Sequence, residues 1–135
     1  MIKSEAMNRR TYLKTLAAAG AACALPAAAG QPIQLHVDLD VDPAKEQELL
    51  SNYRTKFRPA ITKQPGFVEV KLMKLESAVA GQAPPNVGYR LLLSFQTEDQ
   101  RKAWVATATH QKVWPTIQQT LRGANVNAVL FQVVA

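Results

Sequence analysis

Residues 33–41 read IQLHVDLDV, and this stretch decides how the rest of the chain is organised. Its apolar and polar side chains alternate without exception, which is the pattern of a strand with one buried and one exposed face. The polar face carries His36, Asp38 and Asp40. The buried face is predicted to consist of Ile33, Leu35, Val37, Leu39 and Val41.

A helix and a second strand are predicted after this first strand. Asp-Pro at 42–43 is typical of a helix start, and apolar residues recur at helical spacing beyond it. The following stretch, 67–75, is predicted to be a strand, with Val68, Val70 and Leu72 on one face. A loop rich in glycine and proline comes next.

The second half of the domain has the same order of elements as the first half: a strand, a helix and a strand. A third strand is predicted at 89–96, and the TEDQ sequence at 97–100 is a capping box that opens a long helix. Pro115 is expected to break or bend that helix, and 127–134 is predicted to be the last strand. The order strand-helix-strand-strand-helix-strand predicts an α+β, ferredoxin-like fold.

One face of such a sheet is left without helices. Met73, Leu92 and Phe131 are predicted to lie on that face, where full exposure would be unfavourable. A second copy laid face to face would cover them, so we expect a homodimer in the form of a dimeric α+β barrel.

The first 29 residues have the pattern of an export signal. Arg9 and Arg10 precede a short, weakly apolar run and an Ala-rich cleavage site after Ala29. The paired arginines, followed by Thr-Tyr-Leu-Lys, resemble the twin-arginine motif. The apolar run is too short to cross a bilayer, so no membrane anchor is predicted after cleavage. The domain at 30–135 is therefore expected to be periplasmic or secreted.

Three other interpretations of this leader stay open. Cys23 is the acylated residue if the protein is a lipoprotein, although the usual leucine three positions upstream is missing. Met7 is an alternative start, because the signal is complete without the residues before it. The segment is an amphipathic helix of the fold in the third interpretation, but it has no polar face.

The net charge of +6 overstates how basic the domain is. From residue 30 onward, 12 Lys and Arg stand against 9 Asp and Glu, and the basic residues are scattered along the chain. Nucleic acid is therefore not an expected partner. The leader also contains the only cysteine, so the domain has no disulfide and no thiol nucleophile. His36 and Asp38 on alternate positions suggest a metal site, but the further ligands would all have to be carboxylates, and no metal site is predicted.

The second helix carries the main candidate for chemistry. His110 shares an apolar stripe with Ala103, Ala106 and Val113, so its ring is expected to point toward the sheet. Such an imidazole acts either as a general base or ligand anchor, or as a buried core histidine with a satisfied hydrogen bond. Trp104 and Trp114 flank His110 in the sequence and are candidate substrate-binding residues, with Trp104 expected at the edge or the subunit interface.

The polar residues of the first and third strands complete the candidate set. Arg90 is a second candidate catalytic residue that would stabilise developing negative charge, and Tyr89 and His36 are candidate substrate-binding residues. A pair formed by Arg90 and an aspartate of the first strand is more typical of a structural salt bridge than of a catalytic pair.

Several of these features together resemble the antibiotic biosynthesis monooxygenase (ABM) domain family of the dimeric α+β barrel superfamily. The similarity rests on Val-Asp-Pro after the first strand, Gln-Pro-Gly-Phe at 64–67, Phe-Gln-Thr-Glu at 95–98 and the following Trp/His helix, and it covers 33–134. It implies a homodimer with a pocket between sheet and helices. Some members oxidise polyphenols or quinols with O₂ and no metal or flavin, whereas others degrade haem.

The resemblance argues against haem degradation for this chain. The haem-degrading branch has an asparagine on the first strand and a haem-ligating histidine on the second helix, where this chain has Val37 and Trp114. The expectation is therefore a cofactor-independent monooxygenase that acts on an aromatic or quinol-type small molecule in the cell envelope. The alternative is a non-catalytic barrel, either ligand-binding or stress-responsive.

Overall fold

The computed structural model describes residues 31–135, so the predicted leader and Cys23 lie outside the described residues. Four strands make one sheet: β1 (Ile33–Leu39), β2 (Phe67–Lys74), β3 (Tyr89–Phe95) and β4 (Asn127–Gln132). The helices are α1 (Glu46–Asn52), α2 (Arg58–Ile61), α3 (Glu98–Ala106) and α4 (Ala108–Gln118). A 3-10 turn (Pro43–Lys45) precedes α1, and a π-helical turn (Tyr53–Phe57) joins α1 to α2.

The strands are all antiparallel in the order β2-β3-β1-β4. This topology confirms the predicted α+β, ferredoxin-like fold. In the register, Leu35 of β1 lies between Leu93 of β3 and Leu130 of β4. We call the opposite side of the sheet the open face; it carries Gln34, His36, Asp38, Glu69, Lys71, Met73, Arg90, Leu92, Ser94, Asn127, Val129 and Phe131.

A π-helical turn accommodates a proline in the first helical region. Asp42 caps the start of this region by accepting a hydrogen bond from the Ala44 backbone N–H at 3.0 Å. The Arg58 backbone N–H donates to the carbonyl of Tyr53. This wider turn lies directly before Pro59, which has no N–H to continue the usual ladder. The helix therefore continues, and its buried side chains Leu49, Phe57 and Ile61 pack on the sheet.

A β-bulge at the start of β2 corrects the predicted face of that strand. Phe67 pairs with Phe95, the next paired residue is Glu69, and Val68 is the extra residue between them. Phe67, not Val68, therefore shares the covered face with Val70 and Leu72, and Val68 is exposed.

The predicted capping box at the start of α3 is confirmed. The Gln100 backbone N–H donates to Thr97 Oγ1 at 3.1 Å, and the Thr97 backbone N–H donates to Gln100 Oε1 at 3.2 Å. The same side-chain amide packs against Gly66, where the backbone has φ +79°. A Cβ at residue 66 would lie 1.9 Å from Gln100 Oε1, so only glycine fits there.

The long second helix is broken at Thr107, and the predicted break at Pro115 is wrong. Thr107 has an extended ψ of 152° and serves as the C-cap of α3 and the N-cap of α4. Its Oγ1 accepts from the His110 backbone N–H at 3.0 Å and donates to the Trp104 carbonyl at 2.7 Å. Pro115 lies inside α4. The hydroxyl of Thr107 thus ends one helix and begins the next.

Candidate functional site

A cavity of about 150 Å³ lies between the covered face of the sheet and helices α3 and α4. Its floor comes from β1, β3 and β4, and its roof from the helices. The lining residues are Leu35, Val37, Phe57, Leu91, Leu93, Arg101, Trp104, Val105, His110, Trp114, Val126 and Ala128. The wall is therefore apolar and aromatic except for one imidazole and one guanidinium.

His110 is placed in this wall by the Thr107 cap, which fixes the first turn of α4. Its ring centroid lies 5.0 Å from that of Trp104, edge to face, and 6.3 Å from that of Trp114, nearly parallel. The Nδ1 atom is buried and has no hydrogen-bond partner among residues 31–135. Burial lowers the pKa of His110, so the ring is neutral near pH 7. A neutral imidazole has one nitrogen free to accept a proton.

Trp104 is a core residue and not an edge residue. It is 2% exposed and packs edge-on against Phe57 at 6.0 Å between ring centroids. The predicted stripe of Ala103, Ala106, His110 and Val113 is wrong for its first two members, which are exposed. The break at Thr107 changes the phase between the two helices, and it brings Trp104 and His110 onto the same wall.

Arg101 also lines the cavity, although it is not among the site residues predicted from the sequence. Its Nε and Nη2 donate to the two carboxylate oxygens of Glu98, each at 2.6 Å. These bonds lower the pKa of Glu98. Arg101 lies three residues before Trp104, a spacing that puts both on one side of a helix, and this signal was in the sequence.

Two of the predicted site residues lie on the open face and not at the cavity. Arg90 Nε donates to Asp38 Oδ1 at 2.7 Å, which is the ion pair anticipated from the sequence. His36 Nε2 lies 3.2 Å from Gln34 Oε1. A single pocket that holds Arg90 with His110 does not form, because even-numbered residues of β1 and β3 point away from the helices.

Tyr89 is also separate from the cavity, although it lies on the covered face. Its hydroxyl donates to Glu46 at the start of α1, and Lys74 Nζ lies 2.7 Å from the same carboxylate. Burial and the Glu46 carboxylate raise the pKa of Tyr89 to about 12. The structure thus joins His110, Trp104 and Trp114 in one site and leaves Arg90, His36 and Tyr89 elsewhere.

Within residues 31–135, no group of three His, Cys, Asp or Glu side chains is arranged to hold a metal ion. None of the helices in the same range has the length and apolar character needed to cross a membrane.

Comparisons with known proteins find similarity in structure alone. No protein-family model matches the sequence, and no curated protein matches it. A structure described as a candidate antibiotic biosynthesis monooxygenase from Bordetella bronchiseptica aligns with a TM-score of 0.62 and 18% identity, covering 78% of this chain and 99% of that one.

Two further solved structures give the same result. A dimeric ferredoxin-like protein of unknown function from Jannaschia sp. CCS1 aligns with a TM-score of 0.62 and 15% identity, over 77% of this chain and 99% of that one. A variant of SnoaB, a cofactor-independent oxygenase from Streptomyces nogalater, aligns with a TM-score of 0.57 and 15% identity, over 76% of this chain and 91% of that one. At these identities the comparisons establish the fold alone: the chain has a ferredoxin-like architecture.

Proposed function

We propose that this protein is a cofactor-independent monooxygenase that oxidises a phenol- or quinol-type aromatic molecule with O₂. The observation that carries the proposal is the imidazole of His110 in the wall of an apolar cavity, between two tryptophan rings and with its pKa lowered by burial. The fold is shared with a protein described as a cofactor-independent oxygenase, which supports this choice of chemistry.

His110 would act as the general base of this reaction. Its lowered pKa keeps the ring unprotonated at neutral pH, so it can accept the hydroxyl proton of a phenol. The phenolate that forms is more electron-rich than the phenol, and we expect turnover for rings whose substituents donate enough electron density for the anion to react with O₂. The overall change converts a phenol and O₂ to a quinone and water. One oxygen atom enters at a ring carbon that carries hydrogen, opposite the hydroxyl of a phenol or beside a hydroxyl of a quinol, and gives a quinone or a hydroxyquinone. That carbon loses its hydrogen, the second oxygen atom leaves as water, and no external reductant is needed.

The cavity limits the size of the substrate. An apolar cavity of about 150 Å³ is known to hold a molecule of the size of benzene. The cavity of this protein has about the same volume, so a single-ring phenol fits and a polycyclic substrate would require the walls to move. Trp104 and Trp114 would contact the ring of the substrate.

A homodimer is part of the proposal. Phe131, Val129 and Met73 are exposed apolar residues on the open face, and Leu92 is buried among them. Apolar groups grouped on one side of a sheet are typical of a surface that a partner covers. A structure of similar fold is described as a dimeric ferredoxin-like protein, in line with a second copy of this chain as the partner.

Export to the cell envelope through the twin-arginine route is also proposed, on the sequence of the leader alone. Replacement of Arg9 and Arg10 by lysine is expected to retain the protein in the cytoplasm, measured by cell fractionation with an antibody to the domain. Equal amounts outside the cytoplasm for parent and variant would contradict the proposal.

Oxygen uptake tests the enzymatic proposal. Purified protein is supplied with a panel of single-ring phenols and hydroquinones, and the uptake without protein is subtracted. His110→Ala is expected to lower kcat/KM by about 10²–10⁴-fold, the usual contribution of a general base. His36→Ala is the matched control, because it removes the same side chain from the opposite side of the sheet. A His110→Ala variant as active as the parent would contradict the role of His110.

A non-catalytic, ligand-binding protein is the second candidate. It is favoured by the apolar lining of the cavity, whose residues include one imidazole and no carboxylate. In that case the same phenols would raise the Tm of the protein, and no oxygen uptake above background would occur.

A further inference from the structure

Arg101 is the one side chain in the cavity wall that carries a permanent charge. It extends from α3, and its side chain is only 18% exposed. The other lining residues apart from His110 are apolar or aromatic. A guanidinium against such a wall is unfavourable unless its N–H groups find acceptors.

The hydrogen bonds of Arg101 leave part of its guanidinium without an acceptor. Nε and Nη2 donate to Glu98, whereas Nη1 makes no hydrogen bond within residues 31–135 and is not buried, so it is accessible to a ligand. A guanidinium has five N–H donors in a planar fork, and the two bonds to Glu98 use one edge of it. The remaining donors suit the oxygen atoms of a second carboxylate.

We propose that Arg101 is a specificity-determining residue that selects aromatic ligands bearing a carboxylate. This inference rests on the proposed function and narrows its substrate to a hydroxybenzoate. Arg101 and His110 reach the same cavity from α3 and α4, so one ring can present its carboxylate to Arg101 and its hydroxyl to His110. meta-Hydroxybenzoate is a suitable substrate, because the ring carbon opposite its hydroxyl carries the hydrogen that quinone formation removes.

Substitutions of Glu98 and of Arg101 are expected to change carboxylate binding in opposite directions. Its carboxylate partly neutralises Arg101, so it weakens the attraction of Arg101 for a ligand anion. Glu98→Gln is therefore expected to strengthen carboxylate binding, whereas Arg101→Gln is expected to abolish the preference. If the ion pair only stabilised α3, the two variants would change ligand binding in the same direction.

The test measures binding without oxygen, on the full-length protein, by quenching of the fluorescence of its two tryptophans. The probes are para-hydroxybenzoate and its neutral isostere para-hydroxybenzamide, neither of which has a hydrogen opposite the hydroxyl. We expect the parent to bind the carboxylate at least about tenfold more tightly than the amide, as for a hydrogen bond to a charged group. Arg101→Gln should bind both equally, Arg101→Lys should keep part of the preference, and Glu98→Gln should increase it.

Equal affinity of the parent for both probes, or no binding of either, would overturn the inference. A loss of affinity for both probes alike in Arg101→Gln and in Glu98→Gln would also overturn it. The results that would contradict the proposed oxygenase function differ from those that would contradict the role of Arg101. Carboxylate preference without oxygen uptake would contradict only the enzyme, and oxygen uptake with plain hydroquinone but no carboxylate preference would contradict only the role of Arg101.

Discussion

A histidine lies on each side of the sheet, His110 on α4 over the covered face and His36 on β1 at the open face, and the Nδ1 of each is buried without a hydrogen-bond partner among the described residues. His110 lies on the helix-covered side between two tryptophan rings, and burial alone lowers its pKa. His36 lies on the open face, 4.9 Å from the ring of Phe131 between centroids. Burial and the Arg90 charge lower the pKa of His36, and Asp38 opposes them.

The difference between the faces lies in what completes each environment. The helices of the same chain enclose His110, so its cavity is formed as soon as the domain folds. His36 stands among exposed apolar groups and an ion pair, and its surroundings stay incomplete until another molecule covers them. The covered face is therefore the place for a binding site within one chain, and the open face is suited to association.

The largest expected difference between the two faces is in how the removal of an aromatic ring changes the free energy of unfolding. Trp104→Ala is expected to lower the free energy of unfolding by about 3–5 kcal/mol, because it leaves a large void in the core. Phe131→Ala removes a ring that is 52% exposed in one chain, so its effect should act through the dimer. Urea unfolding at several protein concentrations distinguishes the two. The loss for Trp104→Ala should not depend on concentration, and a concentration-independent loss of equal size for Phe131→Ala would remove the distinction.

A charge on the open face should break the proposed homodimer. Phe131→Asp would place a carboxylate where the second copy packs, and unpaired buried charges are strongly unfavourable. Light scattering is expected to give a dimer for the parent and a monomer for the variant. Val79→Asp, in the almost fully exposed loop, is the matched control and should stay dimeric. A parent that is monomeric at micromolar concentration would contradict the face-to-face dimer.

The fold was accessible from the sequence because period-two alternation and capping residues are local signals. The alternation in β1 and β3 and the Thr97 capping box each specify their element without reference to distant residues. The differences between the predicted and the observed fold have non-local causes. The bulge at Val68 adds one residue to β2, and it reverses the face of that residue without leaving a mark in the hydrophobic pattern.

Only part of the candidate site could be predicted from the sequence. His110, Trp104 and Trp114 were predicted from the sequence, but the break at Thr107 was not, because a threonine can either cap a helix or lie within one with its side chain bonded to the preceding turn. Arg90 was grouped with His110 on chemical grounds, although alternation along β3 already placed it on the other face. Arg101 was overlooked because its ion pair with Glu98 at i, i+3 is also the pattern of an ordinary exposed helix.

The pH dependence of stability should show whether both histidines are enclosed. A folded-state pKa below the unfolded value means that the unfolded chain binds more protons, so stability is complete above the unfolded pKa of about 6.5 and falls as the pH drops below it. His110→Gln is expected to reduce this loss at any protein concentration. His36→Gln should reduce it mainly in the dimer, where a partner adds to the burial. Urea unfolding between neutral and mildly acidic pH measures both, and an unchanged pH profile in His110→Gln would show that its ring is solvated.

The Asp38–Arg90 ion pair gives the smallest expected effect and the finest test of the open face. In one chain the Arg90 side chain is 40% exposed and that of Asp38 is 13% exposed, so solvent weakens their attraction. A double-mutant cycle with Asp38→Asn and Arg90→Met is expected to give a coupling under about 1 kcal/mol in the monomeric Phe131→Asp background. In the parent dimer the same cycle should give a larger coupling, because a covering subunit removes solvent from the pair. Equal couplings in the two backgrounds would mean that the open face stays wet when the chains associate, and the dimer would then be formed through another surface.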